Sequence, residues 1–95
     1  MKKVAVLIKD SEQHYEGLRT SLGLTLYNTR VQMFVLDHAI ANLDEAYRDN
    51  MGFLDEMEGE RFSNNLVNVE KHGFKYADRQ EMALMLREAD LVIPF

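Results

Sequence analysis

Two apolar runs, Val4 to Ile8 and Val31 to Leu36, most constrain what this chain can fold into. A strand with one face in water alternates polar and apolar residues, whereas Val-Ala-Val-Leu-Ile and Met33-Phe34-Val35-Leu36 leave no polar face. Such runs belong to strands covered on both sides, as in parallel sheets. Between them, Tyr15, Leu18, Leu22 and Leu26 recur at three- and four-residue spacing, which predicts a helix from about Glu12 to Tyr27 with Asp10 or Ser11 as its cap. Gly17 and Gly23 each cost that helix about 1 kcal/mol relative to alanine, so close packing against the sheet is expected at both.

The same alternation continues downstream. Leu43, Tyr47, Met51, Leu54 and Met57 form one side of a helix from about Leu43 to Glu58, with Gly59 ending it through a left-handed cap. Glu60 to Asn65 reads as the most loop-like segment, Leu66 to Val69 as a short third strand, and Lys71 to Tyr76 as a connection. A helix near Asp78 to Glu88, capped by Asp78, then leads to a last strand at Leu91 to Ile93. Strand alternating with helix implies an α/β fold, a three-layer α/β/α domain on a mostly parallel sheet of about four strands.

At 95 residues the chain is expected to be a single domain (1–95), burying roughly 60 to 65% of its unfolded surface. It contains no cysteine, which removes disulfides, thiolate metal sites and thiol nucleophiles together. The formal charge of −5 comes from acids spread along the chain, and a nucleic-acid partner would require a clustered basic face instead. Neither an 18-residue apolar run nor a signal-peptide pattern is present. A cytoplasmic protein with no membrane and no nucleic-acid partner is therefore expected.

Ligands of open parallel sheets gather beyond the carboxyl ends of the strands. That rule selects Lys9, Asp10 and Ser11 after the first strand, Asp37 and His38 after the second, Glu70, Lys71 and His72 after the expected third, and the carboxyl terminus near Phe95. The carboxylates and imidazoles of Asp37, His38, Glu70 and His72 have the chemistry of an acid/base pair or a metal site, but their spacing is diagnostic of neither. Solvated or capping roles suffice for them, and His14 at the first helix start reads as a surface or interface residue. No metal or cofactor is expected. Lys9-Asp10-Ser11-Glu12 has no glycine to cradle a phosphate. Ser11, Ser21 and Ser63 lie in no nucleophile-elbow motif, and the methionines fall on packing positions.

Three segments together resemble the DsrE/DsrF-like sulfur-relay family, which includes the DsrEFH and TusBCD proteins. They are the opening strand Val-Ala-Val-Leu-Ile with the leucine-rich helix after it, Val31 to Ile40, and Val67-Asn68-Val69-Glu70-Lys71-His72-Gly73-Phe74. The last is similar to the segment around that family's sulfur-carrying cysteine. The resemblance implies a DsrEFH-like fold and sulfur passed as a cysteine persulfide, but around Asn68 or Val69, where it would place the cysteine, this chain has only an amide and an alkyl group. It therefore implies a noncatalytic assembly or docking subunit, a homo-oligomer with a sulfur-relay protein as a further partner. The expected contact surfaces are Gly59 to Asn65, the edge from Asn68 to His72, and an open sheet edge at the last strand. The alternative is a small-ligand-binding protein or enzyme using Asp10, Asp37, His38, Glu70 and His72.

Overall fold

The computed structural model describes residues 2–41 and 43–95. Strand β1 (Lys2–Ile8) runs parallel to β2 (Thr29–Val35), with Lys2 beside Thr29 and Ile8 beside Val35. β5 (Leu91–Pro94) flanks β1 on its other side and β3 (Glu60–Ser63) flanks β2, so both apolar runs lie inside the sheet as their composition requires. β4 (Lys75–Tyr76) completes a five-stranded sheet of order β4-β3-β2-β1-β5 in which every pairing is parallel.

The helices are α1 (His14–Leu24), followed by a 3-10 turn at Thr25–Tyr27, α2 (Glu45–Glu56), α3 (Leu66–His72) and α4 (Arg79–Glu88). Val6, Ile8, Val31, Met33 and Val35 form one core with Leu18 of α1 and Tyr47, Met51 and Leu54 of α2, joined by Val69 of α3. Ala5, Phe34 and Phe62 form a second core with Met82 of α4, where the Phe34 and Phe62 rings stack at 5.3 Å. The result is a three-layer α/β/α domain with α1 to α3 on one face and α4 on the other. β1 to β4 are laid down in succession, and α4 then carries the chain back across the sheet to β5 beside β1.

The second half of the chain departs from the sequence reading. Glu60 to Ser63 is a strand, although half of it is charged, because both charges find partners. The Arg61 side chain is only 9% exposed. Its fork donates to both Asp55 oxygens at 2.9 and 2.8 Å, its remaining nitrogen donates to the His72 carbonyl at 2.6 Å, and its plane lies 4.8 Å over the Phe74 ring. Glu60 accepts from Gln32 and Lys75. Leu66 to Val69, expected as a strand, belongs to helix α3: the Asn65 side chain caps it by accepting from the Val67 N–H at 2.9 Å, and Gly73 ends it at φ 71°. The connection from Lys71 to Tyr76 contains β4, giving five strands rather than four.

Smaller corrections follow from local geometry. α1 starts at His14 without a side-chain cap, because the Asp10 carboxylate is used by the Glu12 N–H at 2.9 Å. Beyond α2 the left-handed residue is Glu58 (φ 66°), not Gly59. A Cβ on Gly59 would lie 2.4 Å from Leu54 Cδ1, so that glycine serves close packing. Gly17 is packed as expected, its notional Cβ 2.4 Å from Ile8 Cδ1, whereas Gly23 has no neighbour within 4 Å. Met57 is exposed rather than part of the α2 core face.

Candidate functional site

The carboxyl ends of β2 and β3 turn into a polar knot centred on Asp37. Its backbone is left-handed (φ 73°), a conformation an aspartate tolerates better than most residues. Asn64 holds it from two directions: the Asp37 N–H donates to Asn64 Oδ1 at 2.7 Å, and Asn64 Nδ2 donates to Asp37 Oδ1 at 2.8 Å. Arg79, from the first turn of α4, brings its guanidinium onto the same carboxylate, with Nε donating to Oδ1 at 3.2 Å and Nη2 to Oδ2. The Asn64 bond, joined by the bond and charge of Arg79 and the charge of His38, outweighs desolvation and holds the Asp37 carboxyl below its ordinary range. It is an engaged carboxylate with little basicity to offer.

Asn68, one of the two positions, with Val69, at which the resemblance would place a sulfur carrier, is wholly buried. Its oxygen accepts from the Ile40 N–H at 2.8 Å, and its amide nitrogen donates to the His38 carbonyl at 2.9 Å and to Ser63 Oγ at 3.0 Å. The Ser63 hydroxyl donates to the Val35 carbonyl at 2.8 Å and accepts from the Asn65 N–H at 3.1 Å. With its proton committed to a backbone carbonyl, Ser63 has no base to activate it. Asn68 and Ser63 thus pin α3 to the turn after β2.

His38 is adjacent but differently used. Its Nδ1 lies 3.1 Å from the Leu36 carbonyl, while Nε2 is buried without a hydrogen-bond partner among the described residues. His14 also has a buried, unpartnered Nδ1 and meets the Tyr47 ring edge-on at 5.1 Å. Burial, and then the charge of His38, hold the His14 imidazole below its ordinary value of 6.5. Burial also raises the Tyr47 phenol far above its ordinary range, so its proton stays in place.

The remaining expected edge residues do not join this knot. Asp10 and Ser11 are exposed beside β1. There the chain turns from one face of the sheet to the other, and the crevice is occupied by Phe95, whose carbonyl accepts from the Lys9 and Asp10 N–H groups at 2.9 and 3.3 Å and whose ring packs into the α1 core. Glu70 and Lys71 are exposed on α3. His72 ends that helix; burial lowers its imidazole, a bond to the Ile40 backbone raises it, and Arg48, Lys71 and Arg61 lower it again, with a net fall. Among the described residues no group of three or more His, Cys, Asp or Glu side chains is arranged to hold a metal. Glu60 to Ser63 is paired on both sides, so it offers no free contact edge.

The sequence reading missed Asn64, Arg79 and Tyr76. They border a hollow of about 370 Å³ beside the Asp37 and Arg79 pair. Asn64 and Asn65 directly after Phe62-Ser63 were the available signal, had β3 been read as a strand. A larger hollow of about 560 Å³ lies elsewhere, on the outer face between α1 and α2, lined by Leu22, Gly23, Leu26, Phe53 and Met57 with Arg19 at its rim. No described helix is long and apolar enough to cross a membrane. The chain matches no family model, and no curated protein matches it.

Proposed function

We propose that this chain is a noncatalytic, DsrE-like accessory subunit, acting inside the cell as an assembly or docking partner of a sulfur-relay protein without carrying sulfur itself. The observation that carries this reading is how the polar groups at the carboxyl edge are used. Asp37, Ser63 and Asn68 are committed to backbone and neighbouring side chains, while the larger open hollow is apolar. An edge built for chemistry would keep a nucleophile or base free and open to a cavity, whereas the unpartnered nitrogen of this edge, His38 Nε2, is buried. An exposed apolar groove is instead what an assembly surface requires. The three-layer α/β/α architecture is the one the resemblance implies, and the absence of cysteine leaves no atom on which a persulfide could form.

A second reading, small-ligand binding at the carboxyl edge, is favoured by the hollow beside Arg79, whose exposed guanidinium could exchange Asp37 for an anionic ligand. One experiment separates the two. The purified chain is incubated with a labelled persulfide donor and then used as bait for a cysteine-bearing sulfur carrier. No covalent label together with capture of the carrier is the expected result. Reductant-labile, stoichiometric labelling of the chain would overturn the noncatalytic assignment, and a small anion retained through purification would favour the second reading.

A further inference from the structure

We propose that the hollow between the carboxyl ends of β3 and β4 binds a small aromatic monocarboxylate, whose carboxylate takes the Arg79 fork from Asp37 and whose ring lies on Tyr76. This gives the small-ligand reading its ligand class and rests on that reading. β3 and β4 are hydrogen-bonded neighbours that leave the sheet in opposite directions: β3 runs into α3 beside the first core, and β4 runs into α4 over the second. Diverging connections of this kind open a crevice beyond the strand ends, where ligands of parallel sheets collect. The hollow of about 370 Å³ lies there, lined by Asn64 after β3 and by Tyr76, Asp78, Arg79 and Gln80 from β4 into α4. Its volume falls at the small end of ligand sites.

Asp37 shows the geometry that a ligand carboxylate would take. Arg79 Nε donates to one of its oxygens at 3.2 Å and Nη2 to the other, the two-pronged arrangement that suits a planar carboxylate. The turn after β2 does not need that pair. Asn64 accepts from the Asp37 N–H at 2.7 Å and donates to Oδ1 at 2.8 Å, and Asn65 Nδ2 donates to the Asp37 carbonyl at 3.4 Å. The Arg79 and Asp37 side chains are 69% and 49% exposed, and an exposed pair is readily exchanged. Tyr76 supplies the second contact: it is 51% exposed and belongs to neither core, so its ring is available to a stacked ligand. Asp78 and Glu81 cap α4 with their own carboxylates, which leaves the side chains of the hollow, not the helix end, to recognise a ligand. The acids also decide the ligand's charge. Beside Asp37 and Asp78, a phosphate dianion meets about twice the repulsion that a monocarboxylate does.

Nuclear magnetic resonance titration of the isotope-labelled intact chain with benzoate, cyclohexanecarboxylate, acetate and inorganic phosphate tests this, with circular dichroism to verify the folding of each variant. Benzoate should shift the amides of Asn64, Tyr76, Arg79 and Gln80 with a dissociation constant on the order of a millimolar, about threefold or more tighter than the saturated ring. Arg79→Gln should weaken it about tenfold or more, and Arg79→Lys, which keeps the charge without the fork, should not restore it. Tyr76→Leu should weaken benzoate about threefold or more and leave acetate unchanged. Asp37→Asn keeps an acceptor for Asn64 and tolerates the left-handed backbone, and it should tighten benzoate about three- to tenfold by removing the competing carboxylate. Unchanged or weaker binding in Asp37→Asn overturns the exchange. Phosphate bound as tightly as benzoate overturns the monocarboxylate class, and cyclohexanecarboxylate bound as tightly overturns the aromatic one. Benzoate shifts that centre on Asp10 or His72 and survive Arg79→Gln overturn this site and leave the small-ligand reading standing. A chain that none of these anions shifts loses the site, and it loses the small-ligand reading too if it retains no small anion through purification.

Discussion

Truncating Asn68 to alanine would strand three groups at once: the Ile40 N–H, the His38 carbonyl and one acceptor site on Ser63. The side chain is 0% exposed, so water has no ready access to replace it. A buried group left unpaired costs on the order of 1 to 3 kcal/mol, and partial relaxation at the turn gives an expected loss of about 3 kcal/mol for Asn68→Ala. Urea denaturation checks this, and a change below about 1 kcal/mol would show that the knot after β2 does not depend on the amide. The same residue is where resemblance and structure diverge most. The resemblance would set a sulfur carrier at Asn68 or Val69, and in the fold the polar atoms of Asn68 all point inward to backbone and Ser63. Arg61 shows the complementary case, a charge that looks solvated in sequence and is buried because Asp55, the His72 carbonyl and Phe74 surround it.

At the scale of elements, what could be read from the sequence depended on whether a segment's composition reflects its own neighbours. β1 and β2 are legible because strands and helices on all sides demand apolar residues throughout. β3 is not, since Glu60 and Arg61 are satisfied by ion pairs with residues that only the fold brings near. α3 is hidden by its length: seven residues give too little periodicity, and Val67 and Val69 favour a strand reading. The caps were the better signal, Asn65 before and Gly73 after. Asp37 and His38 were reachable through the strand-end rule, but Arg79 meets Asp37 only because α4 crosses back over the sheet. Leu66→Pro tests the helix assignment. Leu66 is the first residue of α3, where proline's fixed φ fits and its missing N–H costs little, and Asn65 is already extended (φ −95°, ψ 120°) as a residue before proline should be. The expected change is within about 1 kcal/mol, whereas proline within a paired strand would cost roughly 3 kcal/mol or more. A large loss in the urea midpoint would restore the strand.

Over the whole molecule, the histidines and carboxyls whose titration the fold perturbs are all shifted downward, while the Tyr47 phenol is shifted upward by burial. His14 and His72 are held below their ordinary value of 6.5, the first mainly by burial and then His38, the second by burial and nearby cations against its bond to Ile40. Burial pushes Glu60 upward, but the Lys75 and Gln32 bonds and the charges of Lys75 and Arg30 outweigh it and leave that carboxyl below its ordinary 4.5. Asp37 lies below its ordinary 3.8. Where the folded value is depressed, the unfolded chain binds more protons between the two values, so stability falls as pH falls through that window. The urea midpoint is therefore expected to decline first as pH drops below 6.5, through the histidines, and again below 4.5, through Glu60 and then Asp37. His14 and His72 sit on different helices, so their contributions should be separable and nearly additive. Replacing both with glutamine should flatten the first decline and leave the second, while Asn64→Ala should reduce the second by releasing Asp37. A midpoint that rises on acidification from neutral pH would contradict the sign of every one of these shifts, and a first decline that persists in the double glutamine variant would assign it to groups outside the two helices.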